Sequence, residues 1–232
     1  MSITNENCLM LFVKYPLPGH VKTRLGKEIG HTLAAAVYKN FVRDIMDTLT
    51  DFNAALRIFF YPARAKQRFK EWLGGRYCYI AQAPGSLGQK MRSAFKYTFN
   101  EHFNNVVIIG SDSPDLPGEY LKLSFDALTS NEAVIGPSSD GGFYLLGFSK
   151  ESFQPQIFEN VSWGTAEVFE QVVKILRRNG KKIYQLPQWH DVDNFSDLKS
   201  LIQRNTDTNF NKSRTFCHLM AEFSKDRLNV RL

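Results

Sequence analysis

Apolar and polar positions follow two rhythms along this chain, and the exchange between them runs almost to the C-terminus. An unbroken apolar run from Cys8 to Val13 has the length of a buried strand. Past a turn-rich loop, Ala36, Val37, Phe41, Ile45 and Leu49 fall at helical spacing, with Tyr38 and Val42 beside them, and form one apolar face. Ala55 to Tyr61 reads as a second buried strand, Arg64 to Leu73 as a polar helix, and Tyr77 to Ala81 as a short strand. Leu87, Met91, Phe95 and Phe99 then predict a helix with those four residues on one face. Val106 to Gly110 predicts a central strand, with no polar residue between Val106 and Ile109, and a helix from about Glu119 to Leu128 follows.

Two further strands, Ala133 to Pro137 and Phe143 to Phe148, flank a Ser-Ser-Asp-Gly-Gly loop of hairpin type. A helix is predicted over Ala166 to Asn179, with Thr165 as its N-cap and Gly180 just past its end. Lys182 to Leu186 reads as the last strand and Phe195 to Gln203 as the next helix. This alternation predicts a three-layer α/β/α sandwich around a mostly parallel sheet. In such sheets ligands lie beyond the carboxyl ends of the strands. From Asn205 the composition turns polar, and then Phe216, Leu219, Met220 and Phe223 recur at helical spacing. The expected organisation is one α/β domain over residues 1–204 and a helical extension over 205–232, packed on the domain or serving a homodimer.

Composition narrows the function classes. With 232 residues, 43% hydrophobic and 22% charged, the chain is an ordinary globular one. No apolar stretch approaches the length of a membrane span and the N-terminus lacks signal-peptide regions, so a cytoplasmic protein without a membrane partner is expected. Cys8, Cys78 and Cys217 are too few and too scattered for a disulfide framework or a zinc site. The net charge of +6 is dispersed, with short doublets such as Arg177-Arg178, and forms no basic stripe, so nucleic acid is not the expected partner.

Two segments carry the chemistry. After the first strand, Lys14-Tyr15-Pro16-Leu17-Pro18-Gly19-His20-Val21-Lys22-Thr23-Arg24 brings three cations together in a glycine-containing loop that leads to a helix. That arrangement suits a nucleotide phosphate chain, with Gly19 allowing close approach to the backbone. After the central strand, Gly110-Ser111-Asp112-Ser113-Pro114-Asp115 places Asp112 at the mouth of the sheet, where a carboxylate suits a divalent metal on the same phosphates. Asp115 reads as opening the next helix. Asp140 either belongs to its hairpin loop or meets an acceptor, as a hydroxyl ligand or general base. Asp193 either caps the helix that begins near Phe195 or serves the site. His190 reads as structural, although a candidate base. Trp163 either stacks on a base or sugar or is buried before its helix.

Together these segments resemble the DUF2064 family of transferases with the GT-A, or nucleotide-diphospho-sugar transferase, fold. More remotely, Lys22-Thr23-Arg24-Leu25 is similar to a run in the 2-phospholactate and molybdenum-cofactor guanylyltransferases. Gln82 with Gly85-Ser86-Leu87-Gly88-Gln89-Lys90-Met91 resembles the family's Gln…Gly-x-Leu-Gly-x-Arg-Met, with Lys90 where Arg is usual. Gly136 to Gly147 resembles Gly-Pro-x-x-Asp-Gly-Gly-Tyr-Tyr, with Phe143 in place of the first Tyr. Val161 to Thr165 and Asp191-Val192-Asp193 complete a resemblance from about Cys8 to Leu198.

The resemblance implies a transferase dependent on Mg²⁺ or Mn²⁺ that takes a nucleotide or nucleotide-sugar donor and a small-molecule acceptor. Glycosyl transfer from a nucleotide-diphospho-sugar to a hydroxyl comes first. Nucleotidyl transfer from a nucleoside triphosphate to a phosphorylated acceptor is the alternative, and a non-catalytic nucleotide-binding regulator is a third. Nucleotide contacts fall to Lys14, Gly19, Lys22, Arg24, Gly88 and Lys90, metal ligation to Asp112 and Asp193, and acid–base work to Asp140 and Asp191.

Overall fold

The computed structural model describes residues 6–50 and 52–224. The ends of both expected segments, 1–5 and 225–232, lie outside the described residues. Seven strands form one sheet: β1 (Asn7–Lys14), β2 (Ala55–Tyr61), β3 (Cys78–Ala81), β4 (Asn105–Ile109), β5 (Ala133–Pro137), β6 (Phe143–Ser149) and β7 (Ile183–Gln185). Their order is β3-β2-β1-β4-β6-β5-β7. Only β6 runs antiparallel to its neighbours, because the loop at residues 138–142 folds it straight back on β5. The mostly parallel sandwich anticipated above is the fold.

The two central strands explain why the sheet is covered on both faces. In β1, Leu9, Leu11 and Val13 enter one apolar core, while Cys8 and Met10 enter the other. In β4, Val107 and Ile109 divide from Val106 and Ile108 in the same way. One layer contains α1 (Thr23–Ile29), α2 (His31–Thr48), α3 (Lys66–Leu73), α5 (Gly118–Leu128), α7 (Phe195–Asn205) and α8 (Arg214–Phe223). The other contains α4 (Leu87–Asn100), α6 (Val168–Arg178) and a 3₁₀ turn at Pro155–Phe158.

Local chemistry sets several element ends. Ser86 and Gln89 close a capping box on α4, and Asn194 and Asp197 close another on α7. The helix expected from Ala166 begins at Val168; the Thr165 hydroxyl accepts from the Glu167 N–H (3.4 Å) and so caps the preceding turn. Leu87, expected on the apolar face of α4, is 49% exposed, because as the first residue of the helix it projects at the cleft rim and not over the sheet. In the C-terminal region, the stripe of Phe216, Leu219, Met220 and Phe223 packs on the core of this same chain. The buried Asp44 carboxylate of α2 fixes that helix by accepting from the N–H groups of Arg214 (3.0 Å) and Thr215 (2.8 Å).

Candidate functional site

A cleft of about 580 Å³ opens beyond the carboxyl ends of β1 and β4, the size of a small-molecule site. Four cationic side chains line it, Lys14, Lys22, Arg24 and Lys90, against the carboxylates of Asp112 and Asp193. The lining therefore carries an excess of positive charge that suits a polyanion. Phe12, Leu87, Met91 and Phe143 give the cleft an apolar wall, interrupted by the Gln82 amide, which donates to the Phe59 carbonyl (2.9 Å).

Lys22 is the centre of the site. Its side chain is 3% exposed, and its ammonium contacts Asp112 Oδ1 and, at 3.0 Å, Asp193 Oδ1. The backbone at Lys22 is left-handed (φ 44°, ψ 49°), a conformation uncommon for a residue with a side chain, and it directs the chain from the loop into α1. Burial alone would lower the Lys22 ammonium pKa, but Asp112 and Asp193 outweigh it and hold the pKa above its ordinary value. Burial likewise works against the Asp193 carboxylate, yet Lys22, with Arg24 and Lys14 assisting, holds its pKa below the ordinary range.

The two carboxylates are held by their backbones. The Val192 N–H donates to the Asp112 carbonyl (3.0 Å), which locks the 191–193 segment against the end of β4. The Asp193 carbonyl accepts from the Leu25 N–H (3.1 Å), and the Asp193 N–H donates to the Asp197 carboxylate (2.9 Å). Since Asn194 supplies the cap of α7, the Asp193 side chain is left to face the cleft, where Arg24 Nη1 also reaches it at 3.5 Å. The cap of α7 is therefore Asn194 and not Asp193, and Asp193 lines the cleft.

Asp191 sits in a small annex of about 50 Å³ that shares Gly110, Asp112, Phe143 and Tyr144 with the cleft. It accepts from the Ser113 hydroxyl at 2.6 Å. Burial, with Asp112 adding repulsion, pushes its carboxyl up to about 7. Asp140 lines neither cavity: it accepts from the Ser138 hydroxyl and from the Gly142 N–H (2.9 Å), and so closes its own turn. Gly141 there has φ +88° and packs on the Ala166 carbonyl, which accounts for the glycine.

The other expected nucleotide residues divide. Lys90 lies on the cleft wall with its ammonium 4.8 Å from the centre of the exposed Tyr61 ring. Gly19 occupies the exposed turn before the cleft (φ +77°), and Gly88 is buried beneath Trp163; neither lines the cleft. Arg24 is 74% exposed at the cleft mouth, with its guanidinium on the Asp193 carboxylate. His190 is exposed beside Trp189 and lies outside both cavities. Asp115 does not open α5, which starts at Gly118 behind Pro117; its carboxylate is buried on Arg204, Asn205 and Trp189.

Sequence reasoning missed Tyr38 and Ser111. The Tyr38 hydroxyl accepts from the Lys14 N–H (3.0 Å) and shares a hydrogen bond with Ser111 Oγ (2.7 Å), which joins the ends of β1 and β4 on the cleft floor. Burial raises the Tyr38 phenol to about 12, so the group remains a neutral hydroxyl.

Asp112 and Asp193 offer hard oxygen donors on the two sides of one cation position, and Asp112 is half-exposed to the cleft. Among the described residues no group of three or more His, Cys, Asp or Glu side chains could hold a metal. Two carboxylates completed by ligand phosphates and water are nonetheless a donor set that Mg²⁺ and Mn²⁺ accept, so the residues present fit such an ion. No helix among the described residues is long and apolar enough to cross a membrane.

Comparison with known proteins adds to this geometry. Residues 45–165 match the family model described as "Uncharacterized protein conserved in bacteria (DUF2064)". A crystal structure from Desulfovibrio desulfuricans G20, provisionally designated a nucleotide-diphospho-sugar transferase, is 40% identical, covers 95% of this chain and 96% of that one, and superposes with a TM-score of 0.92. A nucleotidyl transferase from Methanothermobacter thermautotrophicus shares the fold at 10% identity, with 88% and 99% of the two chains covered and a TM-score of 0.56. Rv0371c of Mycobacterium tuberculosis H37Rv, in complex with manganese, does so at 16% identity, 85% and 97% coverage and a TM-score of 0.50. No curated protein matches the chain in sequence.

Proposed function

Because the chain belongs to the DUF2064 family, we propose that it is a transferase whose donor is a nucleotide-activated substrate bound in the cleft beyond β1 and β4. One observation carries this reading: Lys14 at the end of β1, Lys22 before α1 and Arg24 in its first turn meet Asp112 and Asp193 in a single cavity. Cations for phosphate and carboxylates for a divalent ion are the two requirements of a nucleotide polyphosphate site. The relative at 40% identity, designated for nucleotide-diphospho-sugars, supports the donor class.

In the favoured reaction an acceptor hydroxyl attacks the anomeric carbon of a nucleotide-diphospho-sugar. The new bond joins acceptor oxygen to sugar, and the bond to the β-phosphate oxygen breaks. Lys22 and Arg24 bind the departing nucleoside diphosphate and neutralise the charge that grows on it. Asp112 and Asp193 would hold Mg²⁺ or Mn²⁺, which supplies further neutralisation on the same phosphates; the manganese bound by Rv0371c is consistent with that choice. The apolar wall of Phe12, Met91 and Phe143 would receive a base or sugar face. Of the two carboxylates considered for the acceptor proton, Asp191 is favoured over Asp140, because it lies in the annex beside Asp112 with a pKa near neutrality.

A second reading is nucleotidyl transfer, in which a phosphorylated acceptor attacks the α-phosphate of a nucleoside triphosphate and pyrophosphate leaves. The three cations between the end of β1 and the first turn of α1 favour it, since they match the larger charge of a triphosphate. Thermal stabilisation by nucleotide sugars, nucleoside diphosphates and triphosphates, each with and without Mg²⁺, separates the two. The largest metal-dependent shift with a nucleotide sugar supports glycosyl transfer, and the largest with a triphosphate supports nucleotidyl transfer. Absence of any nucleotide-dependent shift overturns the site reading.

A further inference from the structure

We propose that Lys22 itself occupies the metal position of the ligand-free cleft, so that the site takes a divalent cation only together with a nucleotide polyphosphate. This rests on the reading of the cleft as a nucleotide site. The ammonium lies between the Asp112 and Asp193 carboxylates and contacts one oxygen of each. The Lys22 side chain is 3% exposed, so its ammonium depends on these two carboxylates, which themselves face the cleft.

The backbones that carry the two carboxylates are pinned on either side of the ammonium. The backbones of residues 112 and 192 are hydrogen-bonded to each other, and Asp193 is fixed through Leu25 and Asp197. Lys22 is equally constrained at its Cα, where its carbonyl accepts from the Gly26 N–H (2.7 Å) at the start of α1. A divalent ion between the two carboxylates would therefore have to displace the ammonium. Displacement without a new partner would leave a buried ammonium unpaired, which is strongly unfavourable.

A polyphosphate changes that balance. Its oxygens give the displaced ammonium a new set of acceptors within the same cleft, alongside Lys14 and Arg24. Metal and polyphosphate then strengthen each other's binding by the same factor, as linkage requires. Lys22 thus serves two states with one charge: it stands in for the metal in the empty cleft and grips phosphate in the filled one. The favoured ligand is a metal–polyphosphate complex, and free divalent ions are refused.

Binding of Mn²⁺ alone tests this without any turnover. Free Mn²⁺ is followed by electron paramagnetic resonance in titrations of wild type, Lys22→Met, and the double variant Lys22→Met with Asp112→Asn. Removal of the competing ammonium should tighten Mn²⁺ binding by about tenfold or more, and the second substitution should abolish the gain. Unchanged or weaker Mn²⁺ binding by a folded Lys22→Met protein overturns the proposal. A parallel titration keeps the question open to wild type if that variant does not fold. Wild type should bind Mn²⁺ about tenfold or more tightly with UDP or CTP present than without, after correction for Mn²⁺ chelated by free nucleotide; equal affinity in both cases overturns the proposal. If wild type binds no nucleotide, the nucleotide reading fails, while the Lys22→Met titration still decides whether the ammonium holds the metal position.

Discussion

The Trp163 indole fills the space that a β-carbon on Gly88 would need: such a carbon would lie 2.3 Å from Nε1 and 2.5 Å from Cε2. Trp163 in turn stacks on Phe158 (centroids 6.2 Å apart, planes at 24°) and meets Phe143 edge-on (6.3 Å, 80°). The contact ties the first turn of α4, which bears Leu87 and Lys90 on the cleft wall, to the segment that brings Gly164 there. Gly88→Ala should therefore destabilise the fold by about 1–3 kcal/mol, as overpacking does. Denaturant melts give the energy, and a shifted tryptophan emission would mark the displaced ring. An unaltered melt would mean that the indole can step aside freely.

Asp115 is a buried junction between the site loops. Its side chain is 1% exposed and accepts from Arg204 (2.7 and 3.0 Å), Asn205 (2.8 Å) and the Trp189 indole (3.3 Å). Asp115→Ala leaves these donors without their acceptor and should cost about 3–5 kcal/mol. Addition of Arg204→Ala should cost less than the sum of the two single changes, because the second removes a cation already unpaired. Strict additivity in chemical denaturation would deny the coupling.

Asp191 gives the fold a pH dependence of definite sign. Burial raises its carboxyl from the 3.8 of a free side chain to about 7. Between those values the folded chain keeps a proton that the unfolded chain releases, so stability falls as pH rises through the window. The loss is complete above about pH 7. Asp191→Asn should accordingly be more stable than wild type at pH 8, by about 1–3 kcal/mol, and should differ little at pH 4. Melting of both proteins in metal-free buffer measures this, and an equal difference at the two pH values would contradict it.

Tyr38 links the two strands that carry the site. Tyr38→Phe keeps the buried ring but removes the acceptor of the Lys14 N–H and the partner of Ser111. A loss of about 1–3 kcal/mol is expected for the orphaned amide, together with weaker nucleotide binding as the two strand ends loosen. Retention of wild-type stability and binding would show that solvent or ligand satisfies the amide as well as the phenol does.

Much of this arrangement is legible in the sequence because local rules dictate it. The unbroken apolar runs of β1 and β4 read as strands buried on both faces, and the strand-end rule then singles out Lys14 and Asp112. The spelling Asn194-x-x-Asp197 is a capping box, and that signal in the sequence already releases Asp193 from the cap. Other features depend on contacts that no spacing reveals. Tyr38 reads as one more apolar position of α2, and Ser111, 73 residues away, becomes its partner only through the sheet order. Gly88 is expected to contact a nucleotide, whereas its neighbour is an indole from residue 163. Leu87 keeps the helical period and yet faces solvent, because the core beneath α4 begins one turn later, at Met91.

The cleft as the place where a nucleotide donor is consumed, with Asp112 holding the divalent ion, is tested most directly by phosphorus NMR. Wild type and Asp112→Asn would be incubated with Mg²⁺ and, in turn, nucleotide-diphospho-sugars and nucleoside triphosphates, with water as surrogate acceptor. Cleavage at the sugar releases a nucleoside diphosphate, and cleavage at an α-phosphate releases pyrophosphate. One of these products from wild type, formed about a hundredfold more slowly by a folded Asp112→Asn protein, is the expected result. Equal rates from the two proteins, or no donor of either class bound or cleaved by wild type, would contradict it.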